Sequence, residues 1–140
     1  VPELESPCRL CGSRSGIRAA GGWECAVCGW RVGEYIDPEL PLPRVDVVYY
    51  LRLGGAVKIG TTHNPRQRFG AIPHDEVLAF ERGGRSVEQR RHLEFAGERL
   101  GTSEWFGLGP ALREHIAALA GGRDPWHVHA RWLAEALAER

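Results

Sequence analysis

The chain has 140 residues, with 18 basic and 18 acidic side chains and no formal net charge. That length admits one or two small domains and excludes a large multi-domain enzyme. Charge balance excludes a generally basic coat for nucleic acid, so any such surface has to be local. No apolar run approaches a membrane span and nothing resembles a signal peptide, so no membrane partner and a cytoplasmic location are expected.

The first informative stretch is Cys8-Arg9-Leu10-Cys11, followed after thirteen residues by Cys25-Ala26-Val27-Cys28. Two CxxC pairs at this separation point to a tetrahedral zinc site, because each short turn presents two thiolates to one metal. Gly12 and Gly29 follow the pairs directly and suit tight knuckles in which backbone approaches sulfur. Two disulfides or a redox CxxC are the rival readings, without a secretory signal or a βαβ context to support them. Residues 1–36 resemble a zinc ribbon. With four cysteines as ligands there is no open position for water, so the expected zinc is structural. Arg9, Arg14, Arg18 and Arg31 with Trp23 and Trp30 could grip nucleic acid or a partner; the alternative is that the tryptophans simply pack.

Asp37-Pro38-Glu39-Leu40-Pro41-Leu42-Pro43 reads as a semi-rigid spacer, which places a Pro-rich linker at 37–44. A second domain is expected over 45–120. Val47-Val48-Tyr49-Tyr50-Leu51 favours a half-buried pleated surface. Gly54-Gly55 offers the positive φ of a hairpin turn, and Ala56-Val57-Lys58-Ile59-Gly60 returns. Asn64 can cap a short helix opened by Pro65 and carrying Arg66 and Arg68. Between Val57 and Ile72 there are three cations (Lys58, Arg66, Arg68) and no acid. A phenol at Tyr49, an ammonium at Lys58 and a guanidinium at Arg68 together suit an anionic ligand, phosphate first.

Glu76–Arg82 reads as a third strand closed by Gly83-Gly84. Ser86 and Gln89 have the spacing of a capping box for a helix running to about Leu100, with Leu93, Ala96 and Leu100 as its apolar stripe. Glu88 and His92, four residues apart, share a face of it. Glu104-Trp105-Phe106 places aromatic residues for the core. Pro110 to Leu119 reads as another helix, stopped by Gly121-Gly122. The tail at 121–140 has Trp126, His129, Ala130, Leu133 and Leu137 at helical spacing. Such a stripe packs on its own domain or, alternatively, mediates association as a homodimer or with a partner protein.

The tripeptides Val47-Val48-Tyr49 and Lys58-Ile59-Gly60, the run Thr62-His63-Asn64-Pro65-Arg66-Gln67-Arg68, Glu88-x-x-x-His92 and Glu104-Trp105-Phe106 occur in that order. This set resembles the GIY-YIG nuclease superfamily, and most of all its small phage- and bacterial-type members with KIG in the second tripeptide. The resemblance covers roughly Val45 to Ile116, one small domain in size. It implies an α+β fold, a small three-stranded mixed or antiparallel sheet flanked by helices, here preceded by the ribbon. It also implies a metal-dependent endonuclease acting on nucleic acid, DNA first. Glu88 would hold Mg²⁺ or Mn²⁺, Arg68 would neutralise charge at phosphorus, and Tyr49 would position or deprotonate the attacking water. Lys58 replaces the second signature tyrosine and could bind phosphate. His92 could orient Glu88, assist proton transfer or pack. The late asparagine of many members has no counterpart after Glu104. The alternatives are a nucleic-acid-binding module without catalysis and a zinc-ribbon adaptor that recruits proteins.

Overall fold

The structure is a computed structural model that describes residues 2–140. The chain folds as two compact units, one formed by the chain up to Arg44 together with Trp126–Arg140 and the other by Val45–Pro125.

In the first unit β1 (Gly16–Ala19) and β2 (Gly22–Cys25) pair as an antiparallel hairpin. Single bridges add Glu3 to Ser15 and Arg31 to Glu24, so the N-terminal strap and the segment after the second cysteine pair both lie along it. Residues 37–44 carry a turn around Leu40 and no helix or strand.

The second unit is built on an antiparallel sheet of order β5-β3-β4-β6, formed by β3 (Val47–Leu53), β4 (Ala56–Thr62), β5 (Glu76–Arg82) and β6 (Trp105–Gly107). The fold is thus α+β, with four strands in this sheet rather than three. The added strand comes from Trp105-Phe106-Gly107, three residues too few to show a period of two. Val47 to Leu51 are all buried, which is why β3 reads as a continuous apolar run: it is central and covered on both faces. The β3–β4 turn uses Gly54, with φ of +60°, while Gly55 stays outside the positive-φ region. Hence one central position, not both, needs glycine.

Alternation along the strands divides the sheet. Val48, Tyr50, Val57, Ile59 and Ala79 face Phe95, Phe106, Leu112 and Ile116 in the main core. Burying each large apolar side chain here contributes about 1.5–3 kcal/mol. Two helices cover this face, α2 (Arg85–Glu94) and α3 (Pro110–Ala120). On the other face lies α1 (Pro65–Phe69), whose Phe69 meets Tyr49 edge-on at 5.1 Å and stacks on Phe80 at 5.9 Å between ring centroids. Asn64 caps α1, its side chain accepting from the Gln67 amide, and Pro65 opens it. Gly121, in the left-handed region, ends α3.

Helix α2 departs from the sequence reading in three respects. It starts at Arg85 behind Gly84 with no side-chain cap, so Ser86 and Gln89 form no capping box. It ends at Glu94 and passes into a 3-10 turn at Ala96–Glu98. Leu93 is 80% exposed and Leu100 49%, so the expected apolar stripe is not the buried one. The inward face is Val87, Glu88, Arg91, His92 and Phe95. Three of those five are polar, which is why a search for apolar periodicity selected the wrong side.

The last helix, α4 (Pro125–Ala138), belongs to the first unit. Ala134 joins Cys25, Cys28 and Trp30 in its core, with Ala130 and Leu137 packed alongside. An amphipathic stripe shows that a helix has a partner but not which one, and here the partner is the cysteine module.

Candidate functional site

Two sites emerge, one in each unit. In the first, the Sγ atoms of Cys8, Cys11, Cys25 and Cys28 all lie within 4.8 Å of one another. Cys8 and Cys28 are 3.7 Å apart and Cys11 and Cys25 3.5 Å, so the close pairs join the two CxxC turns and no disulfide is formed. A tetrahedron of sulfurs at about 2.3 Å from a central ion has edges of about 3.8 Å. The four cysteines are therefore positioned to hold one metal ion.

The two turns repeat the same hydrogen bond. Gly12 N–H donates to the Cys8 carbonyl at 2.8 Å, and Gly29 N–H to that of Cys25 at 2.9 Å. Both glycines have φ near +80°, a conformation a side chain would strain. The Trp30 amide donates to Cys28 Sγ at 3.4 Å. Arg131 on α4 donates to the carbonyls of Ala26 and Val27, inside the second turn. Burial pushes the Cys28 thiol up, and the Cys11 thiol up to about 11. A cation at the centre would reverse that preference and deprotonate them.

The second site lies along one edge of β4. Its pairing with β6 covers Ala56 to Lys58, and one further bond runs from the Ile59 amide to the Glu104 carbonyl at 3.0 Å. Since N–H and C=O of one strand residue point the same way, the Ile59 carbonyl also faces this edge. It is met by His92 Nε2 from α2 at 2.8 Å. A carbonyl can only accept, so Nε2 carries the hydrogen and, in the neutral ring, Nδ1 keeps its lone pair. His92 thus marks where α2 meets the uncovered edge of the sheet.

On the α1 face, Tyr49 stands opposite Gly60 in the β3–β4 register. Any side chain at Gly60 would overlap the Tyr49 hydroxyl and ring, so the glycine of Lys58-Ile59-Gly60 makes room for the phenol. The Arg68 guanidinium is exposed, and its pKa is raised first by its interaction with the Tyr49 hydroxyl, with Glu104 adding to the rise. Lys58 is on the same face as Gly60, two residues away. Its ammonium is 3.0 Å from Glu104 Oε2 and lies over the Trp105 ring.

Glu88 is on α2, which packs on the opposite face, and of this constellation only the charges of Glu104 and Lys58 act on its carboxylate. Burial raises its pKa first and the Glu104 charge raises it further, while His92, Arg85 and Lys58 pull it down. Tyr49 and Arg68 thus stand on the α1 face, and Glu88 and His92 come from the helix on the other face. Glu104 interacts electrostatically with Arg68, Lys58 and Glu88 alike. The link of Glu104 to Lys58 depends on the chain entering β6 beside β4, which the sequence did not show.

A group the sequence reading missed lies towards the opposite edge of the sheet, around β3 and β5. Tyr50 donates to Glu81 Oε1 at 2.8 Å and lies 2.9 Å from His115 Nε2. Arg91 donates to both oxygens of Glu81 and also reaches Glu94. Each of these residues looks ordinary alone, and nothing in their spacing announces the contact. Set against known proteins, the chain matches no family profile, no curated protein and no solved structure.

Proposed function

We propose that the chain is a metal-dependent endonuclease of GIY-YIG type that hydrolyses DNA phosphodiester bonds, with a structural zinc ion in a ribbon formed around Cys8, Cys11, Cys25 and Cys28. The observation that carries this reading is the uncovered edge of β4. Near it, Tyr49 sits over Gly60 with the exposed Arg68 on the same face, Lys58 pairs with Glu104, and the half-buried Glu88 and His92 come from α2 on the other face, with His92 bonded to Ile59. The zinc assignment follows from an all-sulfur ligand set with tetrahedral spacing and no position left for water.

Phosphodiester hydrolysis needs an oriented water, positive charge on the non-bridging oxygens and help for the departing oxygen. Arg68, exposed and planar, presents two donors to two phosphate oxygens. Tyr49, seated over Gly60 and against Phe69, orients the attacking water. His92, with its Nε2 hydrogen committed to Ile59, offers Nδ1 as the proton acceptor. Glu88 fits a hard divalent cation: burial beside Glu104 disfavours its bare charge, and a cation on the carboxylate relieves that cost. When bound, Mg²⁺ or Mn²⁺ supplies a Lewis acid for the phosphoryl and leaving oxygens.

One observation favours a second reading. Glu104 already occupies the Lys58 ammonium, and a phosphate would have to compete for it. That suits a module that binds nucleic acid without cutting. The two readings separate in a cleavage assay across labelled duplex, branched and single-stranded DNA and RNA, with and without divalent metal. The endonuclease reading predicts metal-dependent cutting that falls at least about a thousandfold in Arg68→Ala, as for loss of a principal charge-stabilising donor. Salt-dependent binding with no cutting in any metal would establish the second reading instead.

A further inference from the structure

Helix α2 has ten residues, about 15 Å of helix, and its apolar anchors towards the core are Val87 and, one residue past its end, Phe95. Two anchors at opposite ends leave its rotation about its own axis weakly determined. Between them, one residue before His92 and three after Glu88, stands Arg91. Its guanidinium grips Glu81 of β5 through both carboxylate oxygens, with side chains 18% and 11% exposed. Its remaining nitrogen reaches Glu94, in the last position of the same helix.

Glu81 is itself held. Oε1 accepts from the fully buried Tyr50 of β3, and His115 of α3 closes the group at 2.9 Å from the Tyr50 hydroxyl. The rings of His115 and Phe95 lie 5.2 Å apart. Elements β3, β5, α2 and α3 therefore meet at one carboxylate. A planar fork on a fixed carboxylate resists rotation, whereas a single ion pair does not.

We propose that Arg91 and Glu81, braced by Tyr50 and His115, form a positioning clamp that sets the rotation of α2 and so holds Glu88 and His92 at the uncovered edge of β4. Arg91 touches neither the nucleic acid nor the metal in this account; it acts through the helix. The consequence for cutting rests on the nuclease reading, but the geometry of the clamp does not.

The test uses the full chain with Glu81→Gln, which keeps the shape of the carboxylate and loses its charge, and Arg91→Lys, which keeps the charge and loses the fork. Amide hydrogen exchange along α2 and the nitrogen-15 signals of the His92 ring report the helix directly. We expect exchange at Glu88–His92 to accelerate at least tenfold more than in β3 and β4. The His92 Nε2 proton should also lose the protection of the Ile59 carbonyl. Both effects should be present in Arg91→Lys, although its charge is unchanged. Uniform acceleration throughout the unit, or an undisturbed His92 signal in both variants, overturns the clamp. Binding of Mn²⁺ alone, followed by water-proton relaxation, is measured on the same samples. A tenfold weaker affinity in the variants joins the clamp to the metal. If the wild-type chain binds no Mn²⁺ through Glu88, the nuclease reading fails while exchange and His92 still decide the clamp.

Discussion

The two units of this chain are ordered by different physics. Among the described residues, fifteen buried apolar side chains lie in Val45–Pro125, and six in the other unit, two of them cysteines of the four-sulfur cluster. The sheet unit has a core of its own, with Val48, Tyr50, Ile59 and Phe106 almost wholly removed from water. The cysteine unit has Trp30, Ala134 and a few half-buried neighbours around four sulfurs. So small a core does not offset the entropy of ordering its chain, whereas a structural metal can. The comparison teaches that unexpected side chains mean different things in each unit. A polar group inside the sheet unit signals a site, because the core could have done without it; a cysteine inside the other unit is the core.

The largest effect should come from breaking the cysteine unit. Chelation, or Cys25→Ser, removes a contribution on the order of 10 kcal/mol and should unfold β1, β2 and α4 together. Circular dichroism and tryptophan emission from Trp23, Trp30 and Trp126 report it, while amides of β3 and β4 stay protected. Phe106→Ala is the converse experiment. It should cost the sheet unit about 3–5 kcal/mol in urea titration and leave metal content unchanged. Loss of both units in either variant would merge the two classes.

Gly60→Ala sharpens the contrast inside the sheet. A methyl group there displaces the Tyr49 ring, and overpacking of this kind costs about 1–3 kcal/mol. Tyr49 should move, with nuclear magnetic resonance shifts at Phe69 and Phe80, while Val48 and Tyr50 on the other face stay in place.

The smallest effect is on pH. His115 is held below its ordinary pKa, first by burial and then by Arg91. The unfolded chain therefore takes up that proton first, and the stability present above about pH 6.5 is lost as pH falls below it. Burial alone would raise Glu81, but hydrogen bonds from Arg91 and Tyr50 hold it below the usual carboxylate range. Its contribution begins to disappear below about pH 4.3. Urea midpoints of the sheet unit should fall in these two stages, and His115→Gln should remove the first.

Much of this was legible in the residues. The cysteine pairs declared a metal site because two-residue spacers leave thiolates few other arrangements. The hairpin from Val47 to Gly60 and the capped helix at Pro65 follow from β-branched residues, a glycine turn and an Asn-Pro start. What was not legible depended on contacts distant in the chain. Strand β6 is too short to show periodicity, and α4 advertises a stripe without its partner. Helix α2 hides its inward face because Glu88, Arg91 and His92 sit where apolar residues were sought. Tyr50, Glu81 and His115 come together only when three elements pack.

The central claim is that Glu88 holds a divalent cation beside a scissile strand at the β4 edge. Its most direct test is the single-turnover cleavage rate of the best-cut DNA as Mn²⁺ is raised, for wild type and Glu88→Gln. The account predicts a saturable rise for wild type and a rate at least about a thousandfold lower for the variant at every concentration. Superimposable curves for the two proteins would contradict it.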